Sequence, residues 1–210
     1  MMTNSAGEGP RSRSDQLEDY VASRAGHLAA LYLVDQSAAV ASLARLRRGL
    51  GTRQPLAEVW DVFVDMPESL MGRGDEPART ELAAAHALQL FALHQQARRD
   101  ASMHVRGWRN SLGRGVGRLA GAARGPGVER RFRALTRSND LEAAAQHLRG
   151  LVTQLRGERI ALDYGLLARD LYQLQQLGGA HRVHMLWTRD FHRPLSANVP
   201  AGDVTTGDLA

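Results

Sequence analysis

The sequence predicts an all-α protein, on three observations. Alanine, leucine and arginine dominate, β-branched residues are sparse, and glycine and proline fall between segments with helical apolar spacing. The expected arrangement is two small bundles, residues 15–105 and 128–193, joined by a basic glycine-rich connector at 106–127. The ends, 1–14 and 194–210, read as disordered.

The elements follow in order. Residues 16–33 place Leu17, Val21, Leu28 and Leu31 on one face of a first helix. A second covers 37–48 and stops at Gly49, a suitable C-terminal glycine. Pro55 opens a short apolar helix over 56–64. A long helix at 77–99 is apolar almost all round (Leu82, Leu88, Leu90, Phe91, Leu93), which predicts a buried central element. Between 104 and 127 the periodicity weakens and seven glycines appear, so the segment reads as a long loop with one short helix near 112–122. Helices at 128–137 and 141–156 follow, the second capped by Asn139 or Asp140. Asp163 caps a helix running to 177 that Gly178-Gly179 ends, and a last helix covers 181–191.

Charge is concentrated. All 27 basic residues are arginine, each a planar fork suited to phosphate and to stacking on bases. The net charge is +5, yet residues 54–81 carry −5 and residues 98–137 carry +9. Self-repulsion at that density points to a polyanionic partner. On a helical wheel Arg130, Arg133 and Arg137 form one ridge opposite Val128, Phe132 and Leu135, with Arg131 on the flank where it can pair or pack. Arg45 and Arg48 share a ridge on the second helix, and Arg149 flanks the inward face of its own. Several short ridges suit a nucleic-acid backbone better than a single phosphate. The candidate nucleic-acid-binding residues are therefore Arg45, Arg48, Arg130, Arg133, Arg137 and Arg149, with Arg114 and Arg118 from the loop region behind them.

Other chemistry is weakly represented. Without cysteine there is no disulfide, thiolate metal site or cysteine nucleophile. No apolar run approaches the ~20 residues of a membrane span, and residues 1–10 lack a secretory apolar core, so a cytoplasmic location is expected. Gly113, Gly115 and Gly117 imitate a phosphate-binding loop, but no strand precedes them. His181 and His184 lie one helical turn apart without a nearby carboxylate, so neither a metal nor another cofactor is expected. No carboxylate pair stands out for acid–base work, and no enzymatic activity is expected.

An ordered series of short motifs adds to this reading: Ala44-Arg45-Leu46-Arg47-Arg48, Leu93-His94-Gln95-Gln96, Ser111-Leu112-Gly113, Glu129-Arg130-Arg131-Phe132, His147-Leu148-Arg149, Leu162-Asp163-Tyr164 and Trp187-Thr188-Arg189-Asp190-Phe191. In that order and spacing, over about residues 17–193, the chain resembles the CasB family, small subunits of the type I-E CRISPR surveillance complex, Cascade. The resemblance implies an all-helical, non-catalytic protein of two bundles that takes part in antiviral defence. It further implies other Cascade subunits as partners, including a second copy of itself, together with guide RNA and both strands of target DNA. In such a complex the basic surface would help hold the target and displaced strands, stabilising the R-loop that recruits a separate nuclease-helicase. Two alternatives belong to other classes: an assembly scaffold docked through the acidic segment 54–81 and apolar helix faces, and a helical metalloenzyme built on the histidines.

Overall fold

Leucine and alanine at helical spacing become eight α-helices among the residues that the structure, a computed structural model, describes: 11–50, 63 and 65–193. They are α1 (Arg13–Leu33), α2 (Ser37–Arg48), α3 (Arg79–Gln95), α4 (Leu112–Leu119), α5 (Gly125–Leu135), α6 (Leu141–Gly157), α7 (Tyr164–Leu174) and α8 (Gly179–His192). The extended pairing among the described residues is one isolated parallel bridge, His104 with Leu162. The helix expected at 56–64 and the tails at 1–10 and 194–210 lie outside the described residues, apart from buried Phe63.

Side-chain oxygens cap three helix starts. Ser12 Oγ accepts from the Asp15 amide (3.2 Å), Asp140 Oδ1 from Ala143 (2.8 Å), and Asp163 Oδ1 from Gly165 (2.9 Å) and Leu166 (3.2 Å). At α3 the reverse half of a capping box is present, Glu81 Oε2 accepting from the Ala78 amide at 2.6 Å. The expected disordered stretch 1–14 is thus too long. Ser12 is the cap of α1, and Arg11 pairs with Asp19 at 2.8 Å.

Helix α3 is buried on nearly every side, as its all-round apolar pattern predicts. It lies against α1, α2, α6 and α7, while α7 in turn packs on α1 and α8. One apolar cluster runs through all of them, from Leu17 and Val21 through Leu88 and Phe91 to Leu148, Tyr164 and Trp187. Both expected bundles contribute to it. Fully buried Tyr164 meets Phe91 edge-on, with ring centroids 5.3 Å apart.

Several helix ends differ from expectation. Helix α3 ends at Gln95 rather than 99, because the chain turns left-handed at Ala97 (φ 60°) and Gln95 ties the next loop. Its amide donates to the Arg98 and Ala101 carbonyls, and its oxygen accepts from the Met103 amide. Helix α7 stops at Leu174, and Gly178 (φ 66°) is the left-handed residue from which α8 starts. Gly49 does follow α2, but in a right-handed conformation. The constraint there is space, since a Cβ would come within 2.6 Å of Gln89 Nε2.

The largest difference is the glycine-rich segment. Residues 112–135 form a continuous helical run, α4 passing through a π-helical stretch (Ala120–Arg124) into α5. Helix α4 is the short helix expected near 112–122, and two of its glycines mark close helix approach. A Cβ at Gly113 would meet the Trp187 carbonyl oxygen and lie 2.7 Å from Asp190 Cβ; one at Gly117 would sit 2.6 Å from the Phe191 oxygen. Four residues apart, both let α4 lie directly on the backbone of α8. Gly113→Ala is therefore expected to destabilise by about 1–3 kcal/mol through overpacking, although alanine is the better helix former by about 1 kcal/mol. Gly121→Ala, with nothing within 4 Å, is expected to stabilise by about 0.5–1 kcal/mol. Urea midpoints check both, and equal shifts in one direction would refute the close-approach reading.

Candidate nucleic-acid interface

The family-like motifs turn out to hold the fold together. His94 Nδ1 lies 2.8 Å from the Tyr164 hydroxyl, joining the second and sixth motifs in the core. Asp163 caps α7 with one oxygen and with the other accepts from the Gly107 amide at 2.6 Å, fixing the loop before α4. Ser111 Oγ donates to Asp190 Oδ2 (2.6 Å), and Trp187 Nε1 to Asp170 Oδ2 (2.7 Å). These groups are buried, where an unpaired polar atom is costly, so each partner is structurally required. Burial holds the His94 imidazole neutral, lowering its pKa to about 3, and raises the Asp170 carboxyl to about 7.

The predicted arginines separate into three situations. Arg130 and Arg133 on α5, and Arg137 in the turn after it, are exposed on the side away from buried Val128, Phe132 and Leu135. Among the described residues none of the three forms an ion pair. Arg131 lies against Gly150 of α6, whose added Cβ would meet its Nε at 2.8 Å, in keeping with the packing role left open for it. The basic ridge of α5 thus faces solvent, with one arginine turned aside toward α6.

A second group gathers elsewhere. Arg48 at the end of α2 is exposed, whereas Arg45 is half-buried and reaches Ser42 Oγ at 3.4 Å. Exposed Arg149 lies on the same stripe of α6 as Arg156, seven residues on. Arg156 donates to the Leu93 carbonyl (3.2 Å) and Gln96 Oε1 (2.9 Å) at the end of α3. It also stands near enough to Arg47 to act on it: burial lowers the Arg47 pKa, Tyr32 opposes, and the charges of Arg156 and Arg48 lower it further. Arg98 joins the group by donating to the Arg156 carbonyl at 2.5 Å. The wheel places Arg47 toward the apolar side of α2 and assigns Arg98 and Arg156 no role. Their assembly depends on how α2, α3 and α6 pack, which periodicity within one helix does not contain.

The remaining two are structural. Arg114 is only 9% exposed; its Nε lies 3.7 Å from Asp190 and its guanidinium 4.3 Å from the Trp108 ring centroid. Arg118 is half-buried and donates to the Arg109 and Ala161 carbonyls and to Asn110 Oδ1, and burial, with help from Arg114, lowers its pKa. Both fall in the short helix expected near 112–122 within the loop region; in α4, packed against α8, they brace the neighbouring turn. Among the described residues no three His, Asp or Glu side chains gather as metal ligands, and no described helix is long and apolar enough to cross a membrane.

The geometry therefore offers an exposed arginine ridge along α5 and a second, mostly half-buried group where α2, α3 and α6 meet, whose exposed members are Arg48 and Arg149. Comparison with known proteins bears on what uses them. Residues 42–192 match the family model described as CRISPR-associated protein Cse2. The fold is similar to the crystal structure of CasB from Thermobifida fusca, with a TM-score of 0.69 and 38% identity over 85% of this chain and 98% of that one. It is also similar to a chain of a CRISPR RNA-guided surveillance complex, with a TM-score of 0.65 over 84% of this chain and 93% of that one; at 21% identity this likeness concerns the fold alone. A comparison with curated protein sequences finds no match.

Proposed function

The chain belongs to the CRISPR-associated Cse2 family, and from that premise we propose that it is a non-catalytic subunit of a type I-E Cascade complex that stabilises the R-loop. Its partners in this reading are the other Cascade subunits, a second copy of itself, the guide RNA and both strands of target DNA, in the bacterial cytoplasm. The observation that carries the proposal is the set of solvent-facing arginines, with Arg48, Arg130, Arg133, Arg137 and Arg149 exposed and outside any ion pair among the described residues. Forming an R-loop exchanges one duplex for another of similar stability, so a few protein–backbone contacts tip the balance. Sequence selectivity is not required of them, since guide pairing supplies it.

A scaffold role has its own support on α8, whose Met185 and Leu186 are 41% and 42% exposed beside Arg182 and Arg189. That surface suits a protein neighbour, and docking there is compatible with DNA contacts elsewhere. Co-expression of the tagged chain with its genome neighbours and a guide RNA tests the proposal. Incorporation into a large ribonucleoprotein is expected, with weaker binding of matched duplex DNA when the chain is omitted. Incorporation with unchanged DNA binding would leave only the scaffold, and no incorporation would overturn both.

A further inference from the structure

We propose that Trp108 is a stacking platform for an unpaired nucleobase. The proposal rests on the nucleic-acid reading above and assigns it a residue outside both arginine groups. Trp108 is 59% exposed, a costly placement for the largest aromatic side chain, while Trp187 is fully buried. It is also held in place. The Gly107 amide is bonded to Asp163 Oδ2 (2.6 Å), the Asn110 amide to the Gly107 carbonyl (2.8 Å), and the Asp163 amide to the Asn110 carbonyl (2.7 Å). This closes a short 3-10 turn, Trp108–Asn110, onto the start of α7. The guanidinium of buried Arg114 lies over the ring, 4.3 Å from its centroid, and is itself paired with Asp190 at 3.7 Å. The ring is thus presented at little further entropic cost, as a stacking surface requires.

The surroundings select the occupant. The exposed neighbours include Val105, Arg106, which bonds to Asp19, and Arg109, whose guanidinium lies over the ring 5.4 Å from its centroid. The turn belongs to the segment of net charge +9. A base laid on the exposed part of the ring extends an arginine–tryptophan column, and Arg109, the looser of the two guanidinium groups over the ring, turns from it to the phosphate. An apolar protein segment would find only Val105 of its own kind there, beside the guanidinium groups of Arg106 and Arg109.

The test uses the full-length chain as wild type, Trp108→Phe and Trp108→Ala. Each is titrated with a labelled oligothymidylate and with an abasic oligonucleotide of the same length, following anisotropy and tryptophan emission. Wild type is expected to prefer the base-bearing strand by about 5- to 150-fold, the range typical of one aromatic–base stack. Its emission is expected to be quenched on binding, and that quenching to be absent in Trp108→Phe. Trp108→Phe keeps most of the preference; Trp108→Ala loses it while binding the abasic strand as wild type does. Equal affinity of wild type for both strands would overturn the stacking proposal and leave phosphate binding intact, as would equal weakening on both strands in Trp108→Ala. Failure of wild type to bind either strand would instead sink the nucleic-acid reading itself. A Trp108→Ala protein that keeps its base preference but drops out of the assembled complex would assign the ring to a protein neighbour and overturn the proposal.

Discussion

Arg130→Ala/Arg133→Ala/Arg137→Ala is expected to weaken binding of single-stranded DNA by about 100-fold at 0.1 M salt, leaving the fold unchanged. The magnitude follows from counterion release. On a single strand each neutralised phosphate contributes about −0.7 to the slope of log K against log salt, so five exposed arginines give about −3.5. Wild-type affinity should then fall about 100-fold between 50 and 200 mM salt. Removing the α5 group should flatten the slope to about −1.4, and Arg48→Ala/Arg149→Ala to about −2.1. The two groups lie on different helices, so their effects should add. Anisotropy titrations at four salt concentrations on an oligonucleotide long enough to reach both groups give all three slopes. A wild-type affinity independent of salt would contradict direct phosphate contact.

Asp170→Asn is expected to stabilise the protein at pH 8 by several kcal/mol, with no gain at pH 4. Asp170 is raised to about 7 chiefly by burial; the Trp187 hydrogen bond and Arg169 oppose, and Asp190 and Glu18 add to the rise. Because the folded value lies above the ordinary carboxyl value of 3.8, stability is fully present below about pH 4 and is lost as pH rises through 7. About three units correspond to on the order of 4 kcal/mol. Asparagine keeps an oxygen for Trp187 Nε1 and never ionises. His94 acts in the opposite sense: its folded value of about 3 lies below the ordinary imidazole value of 6.5, so its contribution is present above 6.5 and lost as pH falls toward 3. The two trends oppose each other in wild type between about pH 4 and 6.5. The difference between variant and wild type isolates Asp170, growing from near zero at pH 4 to a plateau above pH 7. Parallel stability curves across that range would show that Asp170 does not titrate as its burial dictates.

Much of this architecture is legible in one sequence because it is local. The bounds of α2 at 37 and 48 follow from helical periodicity, the Asp140 and Asp163 caps from side chains that reach their own helix, and the burial of α3 from an apolar surface with no polar side. The segment 112–135 defeats the same reasoning, since glycine has two causes that look alike in sequence: a chain that must turn and a helix that must approach another. Only the position of α8 decides between them. The short helix expected near 112–122 is α4, but the burial of Arg114 and Arg118 against α8 and the 108–110 turn is set by that packing and not by periodicity. The α5 ridge was readable because amphipathicity within one helix defines it, whereas Arg47, Arg98 and Arg156 meet only through tertiary contacts. Trp108 carried a signal, an aromatic residue followed by arginine inside the most basic stretch, but its exposure is a property of the folded chain.

The most direct measurement is the lifetime of the R-loop on a matched duplex, in complexes assembled with wild-type chain or with Arg48, Arg130, Arg133, Arg137 and Arg149 all changed to alanine. Subunit content is read on the same preparations. Equal incorporation with a shortened lifetime is the predicted result. Equal lifetimes at equal incorporation would contradict a direct role for these arginines in holding the strands.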